Sequence, residues 1–84
     1  GRSTDAVARR AAERGVASLT DRERDVVVAV GEGLSNAEVG ERLYISEATV
    51  KVHLASAQAK LGVSNRVGVA VLAERAGLLR PAGG

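Results

Sequence analysis

Apolar residues recur at helical spacing in four stretches of the chain, and residues that start and stop helices bracket each stretch. Thr20-Asp21-Arg22-Glu23 precedes the run Val26 to Val30. The threonine oxygen can accept from the backbone N–H of Glu23 while the carboxylate reaches back to the N–H of Thr20. With Gly33 as a stop, the pattern predicts a helix over about 21–32. Ser35-Asn36-Ala37-Glu38 repeats the box and predicts a helix over 36–43, with Val39 and Leu43 four residues apart on one buried face. Gly40 inside it costs about 1 kcal/mol against alanine, a choice that close approach by a neighbouring helix would explain. After the link Tyr44-Ile45-Ser46, Ser46 caps a helix over 47–61, with Glu47 at the positive end of its dipole, Lys60 near the other end and Gly62 as the stop. Ser64 caps a last helix over 65–76, closed by Gly77. No alternating stretch marks a strand.

Ahead of these, residues 4–14 read as an Ala/Arg-rich helix that ends at Gly15, with a weak apolar face from Val7 and Ala11. The expected organisation is a linker or frayed helix over 1–18, a compact domain over 19–79 and a disordered tail over 80–84. A chain that opens on Gly1 is expected to continue from a missing N-terminal module. The fold class is all-α: a four-helix bundle containing a helix-turn-helix, preceded by a short linker helix.

Composition narrows the chemistry. One tyrosine and no Phe, Trp or Met leave an aliphatic core. The absence of cysteine excludes disulfides and thiolate metal sites. A single histidine, His53, leaves no metal site, no cofactor and no convergent catalytic group to expect, and there is no Gly-rich phosphate loop. No apolar run approaches the ~20 residues of a membrane helix, and no signal-peptide order appears at the start. The expected location is the cytoplasm. Net charge is +2 for the whole chain, but residues 19–45 carry −3 and residues 46–84 carry +3. A basic C-terminal half attracts phosphates; a mixed surface is the plainer reading.

The helix over 47–61 holds the most informative face. At 100° per residue, Val50, Leu54, Ala57 and Leu61 make an inward stripe, and Ala48, Val52, Ala55 and Ala59 point out, with Lys51 at the edge. Such a face lacks the Glu/Lys mixture that solubilises an exposed helix. Small residues allow close approach, a valine offers contact to a thymine methyl, and a lysine can donate to guanine. Ala48, Lys51, Val52 and Ala55 are therefore candidate base contacts. Ser35, Asn36, Ser46, Thr49 and Asn65 lie near helix starts, where phosphate binds. Ser35, Ser46 and Asn65 are equally natural caps, whereas Thr49 lies inside its helix. His53, at the flank of the inward stripe, can donate to a phosphate or simply pack. The outward face also fits a protein-docking module. The last helix has two apolar sides, one of Val67, Ala70 and Val71 and one of Val69, Leu72, Ala73 and Ala76. The second meets either a dimer mate or the N-terminal segment folded back.

Leu19-Thr20-x-Arg22-Glu23, Gly33-Leu34-Ser35-Asn36-x-Glu38-Val39, Leu43-x-Ile45-Ser46-x-x-Thr49-Val50-Lys51-x-His53, Lys60-Leu61-Gly62-Val63, Asn65-Arg66 and the Ala-Gly-Leu of 76–78 follow in order. Across residues 19–79 this series resembles the LuxR/NarL/GerE-type C-terminal DNA-binding domain. The resemblance implies sequence-specific binding of double-stranded DNA by a transcription regulator of response-regulator type, not an enzyme. Helix 47–61 would enter the major groove, Lys51 and Val52 facing base edges, with Asn36, Ser46, Thr49, His53 and Lys60 on the phosphate side. Helix 65–76 would pair two copies on an inverted-repeat operator through Val69, Leu72, Ala73 and Ala76. RNA polymerase is a further expected partner; no membrane or small-molecule ligand is expected for this domain. Region 4 of a sigma factor is the rival resemblance; the complete last helix and Lys60-Leu61-Gly62 favour the first. Three positions depart from the pattern: Gly40 replaces a usual alanine, Ala55 stands where some members carry a longer polar side chain, and Gly68 interrupts the last helix.

Overall fold

A computed structural model describes residues 2–79. It is all-helical in that range, with α1 (Arg2–Ala17), α2 (Asp21–Gly31), α3 (Asn36–Leu43), α4 (Glu47–Leu61) and α5 (Arg66–Arg75). The expected tail over 80–84 lies outside the described residues.

Helix starts and stops follow from local chemistry. Both predicted capping boxes are complete, Thr20 with Glu23 on α2 and Ser35 with Glu38 on α3. Ser46 accepts from the N–H of Thr49 to open α4. Each such cap contributes about 1 kcal/mol. In the second box the backbone N–H and the hydroxyl of Ser35 hold the Glu38 carboxyl below its ordinary range. At the last helix the expectation needs correction. Asn65, not Ser64, is the cap, its side chain accepting from the N–H of Gly68, so α5 begins at Arg66 and ends at Arg75, one residue short of prediction at either end.

Helix α2 is the hub, packed against α3, α4 and α5. Its Val26, Val27, Ala29 and Val30 meet Val39 of α3, Val50, Leu54 and Ala57 of α4, and Val69 and Ala73 of α5 in one aliphatic core. Burying each valine in full stabilises the fold by roughly 1.5–3 kcal/mol. Leu34, Leu43, Ile45, Leu61 and Val63 close its margins.

Helix α1 differs from expectation in length and in face. It runs through Gly15 to Ala17 and packs on α4 and α5. Val7 and Ala11 are exposed, while Ala12 and Val16 are buried. The reason lies at Gly15, where a Cβ would stand 2.9 Å from Cδ2 of Leu61. The glycine is a contact point with the end of α4 rather than a stop.

Gly40 also has a different cause from the one predicted. A Cβ there would fall 2.7 Å from the carbonyl oxygen of Ile45. What approaches it is the chain's own turn, folding back so that the N–H of Ile45 donates to the Gly40 carbonyl at 3.0 Å. The turn needs a left-handed residue, and Tyr44 supplies it at φ 59°, ψ 43°. For a residue with a Cβ this backbone costs roughly 1–2 kcal/mol. Among the described residues the other positive-φ positions are glycines: Gly33, Gly62 and Gly77.

Candidate nucleic-acid interface

Helix α4 is seated by an apolar stripe and a polar clamp. The stripe is the predicted one: Val50, Leu54 and Ala57 are buried. The clamp is Glu23 of α2, only 5% exposed. Its carboxylate accepts from Ser56 Oγ at 2.5 Å and from Lys60 Nζ at 2.7 Å, donors one helical turn apart on α4. It also accepts from the Thr20 N–H at 2.9 Å as part of its capping box. Lys60, then Ser56, then the Thr20 backbone hold the Glu23 carboxyl at about 2, against the opposite push of burial. Lys60, expected on the phosphate side, has its ammonium paired with a buried carboxylate in the free protein. Sequence reasoning found the local half of the Glu23 role and missed the half made 33 and 37 residues away.

The opposite side of α4 is free. Ala48, Lys51, Val52, Ala55 and Ala59 are all exposed, Val52 to 67%. The four candidate base-contacting residues thus share one surface. Its side chains are short apart from the single cation Lys51, so its backbone is open to close approach. The helix is about 22 Å long at 1.5 Å per residue, enough to lie along a major groove ~12 Å wide.

The phosphate-side candidates divide into clusters. At the start of α4, Ser46 Oγ and Thr49 Oγ1 lie 2.8 Å apart. The Thr49 hydroxyl is thereby joined to the cap, a partner that its place inside the helix had not predicted. At the start of α3, Asn36 Oδ1 accepts from Arg66 Nη1 at 2.9 Å, and Arg66 Nη2 donates to the Leu34 carbonyl at 2.8 Å. Arg66 so ties the start of α5 to the start of α3, leaving the Asn36 amide N–H groups for other partners. Ser35 is exposed and occupied as a cap, as is Asn65. His53 is half-buried on the flank of α4. Among the described residues no side-chain hydrogen bond joins these clusters to one another.

Two of the four residues expected to pair copies through α5 are taken by the core of their own chain. Val69 and Ala73 are fully buried against the core, and Leu72 and Ala76 are half-buried. The exposed apolar residues are Val67 at 68% and Val71 at 46%. The N-terminal segment does fold back: Ala8, Ala11 and Ala12 of α1 face Leu61, Val71 and Leu72 across a groove of about 450 Å³. With valine and alanine on both sides of α5, periodicity alone could not tell which side the core would take.

No group of three or more His, Asp or Glu side chains gathers as a metal ligand set among the described residues. No helix there is long and apolar enough to cross a membrane.

Residues 17–73 match the family model described as bacterial regulatory proteins, luxR family. Similar proteins carry regulator names. The chain is 50% identical over 64 residues to Mb0914c of Mycobacterium bovis, which bears the name of an HTH-type transcriptional regulator; the match covers 76% of this chain and 7% of that protein. It is 43% identical over 60 residues to the transcriptional regulatory protein LnrK of Bacillus subtilis, covering 71% of this chain and 27% of LnrK. It is 38% identical over 68 residues to the DNA-binding transcriptional activator DevR/DosR of Mycobacterium tuberculosis, covering 81% and 31%. The chain thus spans less than a third of the length of each of these relatives.

Proposed function

The chain belongs to the luxR family of bacterial regulatory proteins, and from that premise we propose that it is the DNA-binding part of a transcription regulator whose α4 lies in the major groove of double-stranded DNA. The observation that carries this reading is the exposed face of Ala48, Lys51, Val52 and Ala55 on a helix otherwise held firmly in the core. Its small side chains let the helix backbone approach base edges, Lys51 donates to guanine or phosphate, and Val52 meets a thymine methyl. The Ser46–Thr49 hydroxyls, the Asn36 amide and His53 take the flanking phosphates. Lys60 joins them to the extent that its ammonium, already donating to Glu23, has N–H groups to spare.

Two copies bind an inverted repeat, each contributing α5. The exposed Val67 and Val71 replace the inward Val69 and Ala73 as the residues that meet across the two-fold axis. The domain acts as the effector end of a longer regulator of response-regulator type, and RNA polymerase is its further partner on the promoter. The share of each relative that the chain covers supports this modular reading.

Selection of bound duplexes from a randomised pool at two salt concentrations tests it. Enrichment of an inverted repeat, with affinity falling as salt rises, is the expected result; no enrichment by the dimeric full-length regulator would overturn it. On the enriched duplex, Lys51→Ala and Val52→Ala should each cost about 1–3 kcal/mol and leave random-duplex binding nearly unchanged. Equal losses on both duplexes would move these residues from bases to phosphates.

A further inference from the structure

Tyr44 is unusual in three independent ways. It is the only aromatic residue of the chain. It is 93% exposed, so its ring contributes almost nothing to the core. It also occupies a left-handed backbone position, where each of the other positive-φ sites described is a glycine. Folding therefore bears the strain of this side chain and gains no packing from it. A residue held in a disfavoured conformation without a structural return points to a role outside the fold.

Its mounting is rigid. The N–H groups of Tyr44 and Ile45 both donate to the Gly40 carbonyl. Ile45 packs at the margin of the core, and its carbonyl oxygen fills the space that a Cβ on Gly40 would need. The turn accordingly presents the phenol from a fixed base, two residues before Ser46, whose hydroxyl caps α4 and meets Thr49. That is the end of α4 which leads into the groove.

We infer that Tyr44 is a DNA-backbone contact: its ring lies against a deoxyribose at the rim of the groove and its hydroxyl donates to a phosphate oxygen. Tyrosine hydroxyls are among the usual phosphate donors. The inference rests on the placement of α4 proposed above. Being uncharged, the contact displaces no counterion, so it adds affinity without adding to the salt dependence that each Lys or Arg contact brings.

Tyr44→Gly and Tyr44→Phe separate this role from a structural one. The probes are the duplex that the wild-type chain enriches and a scrambled duplex of equal length. Glycine suits the left-handed turn, so Tyr44→Gly should melt no lower than wild type. It should nevertheless bind both duplexes three- to tenfold more weakly, with an unchanged slope of log affinity against log salt. Tyr44→Phe, which keeps the ring and loses the donor, should fall between the two. Wild-type affinity in Tyr44→Gly would overturn the assignment and leave the ring for a protein partner. A loss confined to the enriched duplex would overturn it too, because a backbone contact reads no sequence. A wild-type chain that enriches no duplex would instead remove the placement of α4 itself.

Discussion

Glu23 carries two jobs, and only one is written in its neighbours. Thr20 three residues before it announces a cap, and the cap forms. Nothing local announces that the same carboxylate receives Ser56 and Lys60 from α4, because hydrophobic period and capping rules describe a helix, not what packs on it. The consequence is measurable in acid. The folded chain holds this carboxyl at about 2, against an ordinary 4.5. Between those values the unfolded chain binds a proton that the native chain refuses. The stabilisation is whole above pH 4.5 and disappears as pH falls toward 2, up to about 3 kcal/mol in all. Glu23→Gln should therefore unfold at lower urea than wild type at neutral pH, and the gap should close across that window. A gap independent of pH would assign the contribution of Glu23 to packing alone. Lys51 and Val52 lie at the opposite extreme of legibility: the helical phase set by Val50 and Leu54 predicts their exposure, and both are exposed.

Among the elements, those with directional end signals were the readable ones. Helices α2, α3 and α4 start at Thr20, Ser35 and Ser46 as their hydroxyls require, and α4 stops at the left-handed Gly62. Helices rich in alanine and valine all round were not readable by face. On α1 the buried side is Ala12 and Val16 rather than Val7 and Ala11; on α5 the core takes Val69 and Ala73. The amphipathic signal fails there because both sides of each helix carry similar side chains, so tertiary packing decides. The turn between α3 and α4 shows a related limit. A glycine in a short helix was visible in the sequence, but the carbonyl that needs the space was not. Gly40→Ala sets a methyl 2.7 Å from the Ile45 oxygen, a backbone atom with little room to move. We expect a loss of about 1–3 kcal/mol, seen as a lower melting temperature, although alanine is the better helix former. A neutral or stabilising result would mean that the turn can shift without cost.

For the whole molecule, the feature that chooses between the two readings of the last helix is that α1 belongs to the packed body. It covers Leu61 and part of α5, so Leu72 faces a neighbouring helix of its own chain, and a charge there would report on folding. Val67, exposed and clear of the groove that α1 lines, is the residue left to report on pairing. Val67→Asp should abolish cooperative occupation of an inverted repeat while single half-site binding and the melting temperature stay close to wild type, measured by gel shift on one- and two-site duplexes. Cooperativity that survives would place the pairing surface elsewhere. The exposed phenol of Tyr44 has a consequence of another kind. With no tryptophan in the chain, it supplies the whole intrinsic fluorescence. Because water surrounds it in the native state and after denaturation alike, its emission should show only the ordinary smooth decline with temperature, and no step, through a thermal transition that erases the helical circular dichroism. A change in that emission at a temperature where the helices are intact therefore signals a molecule arriving at the turn, and the chain carries its own optical reporter of encounter.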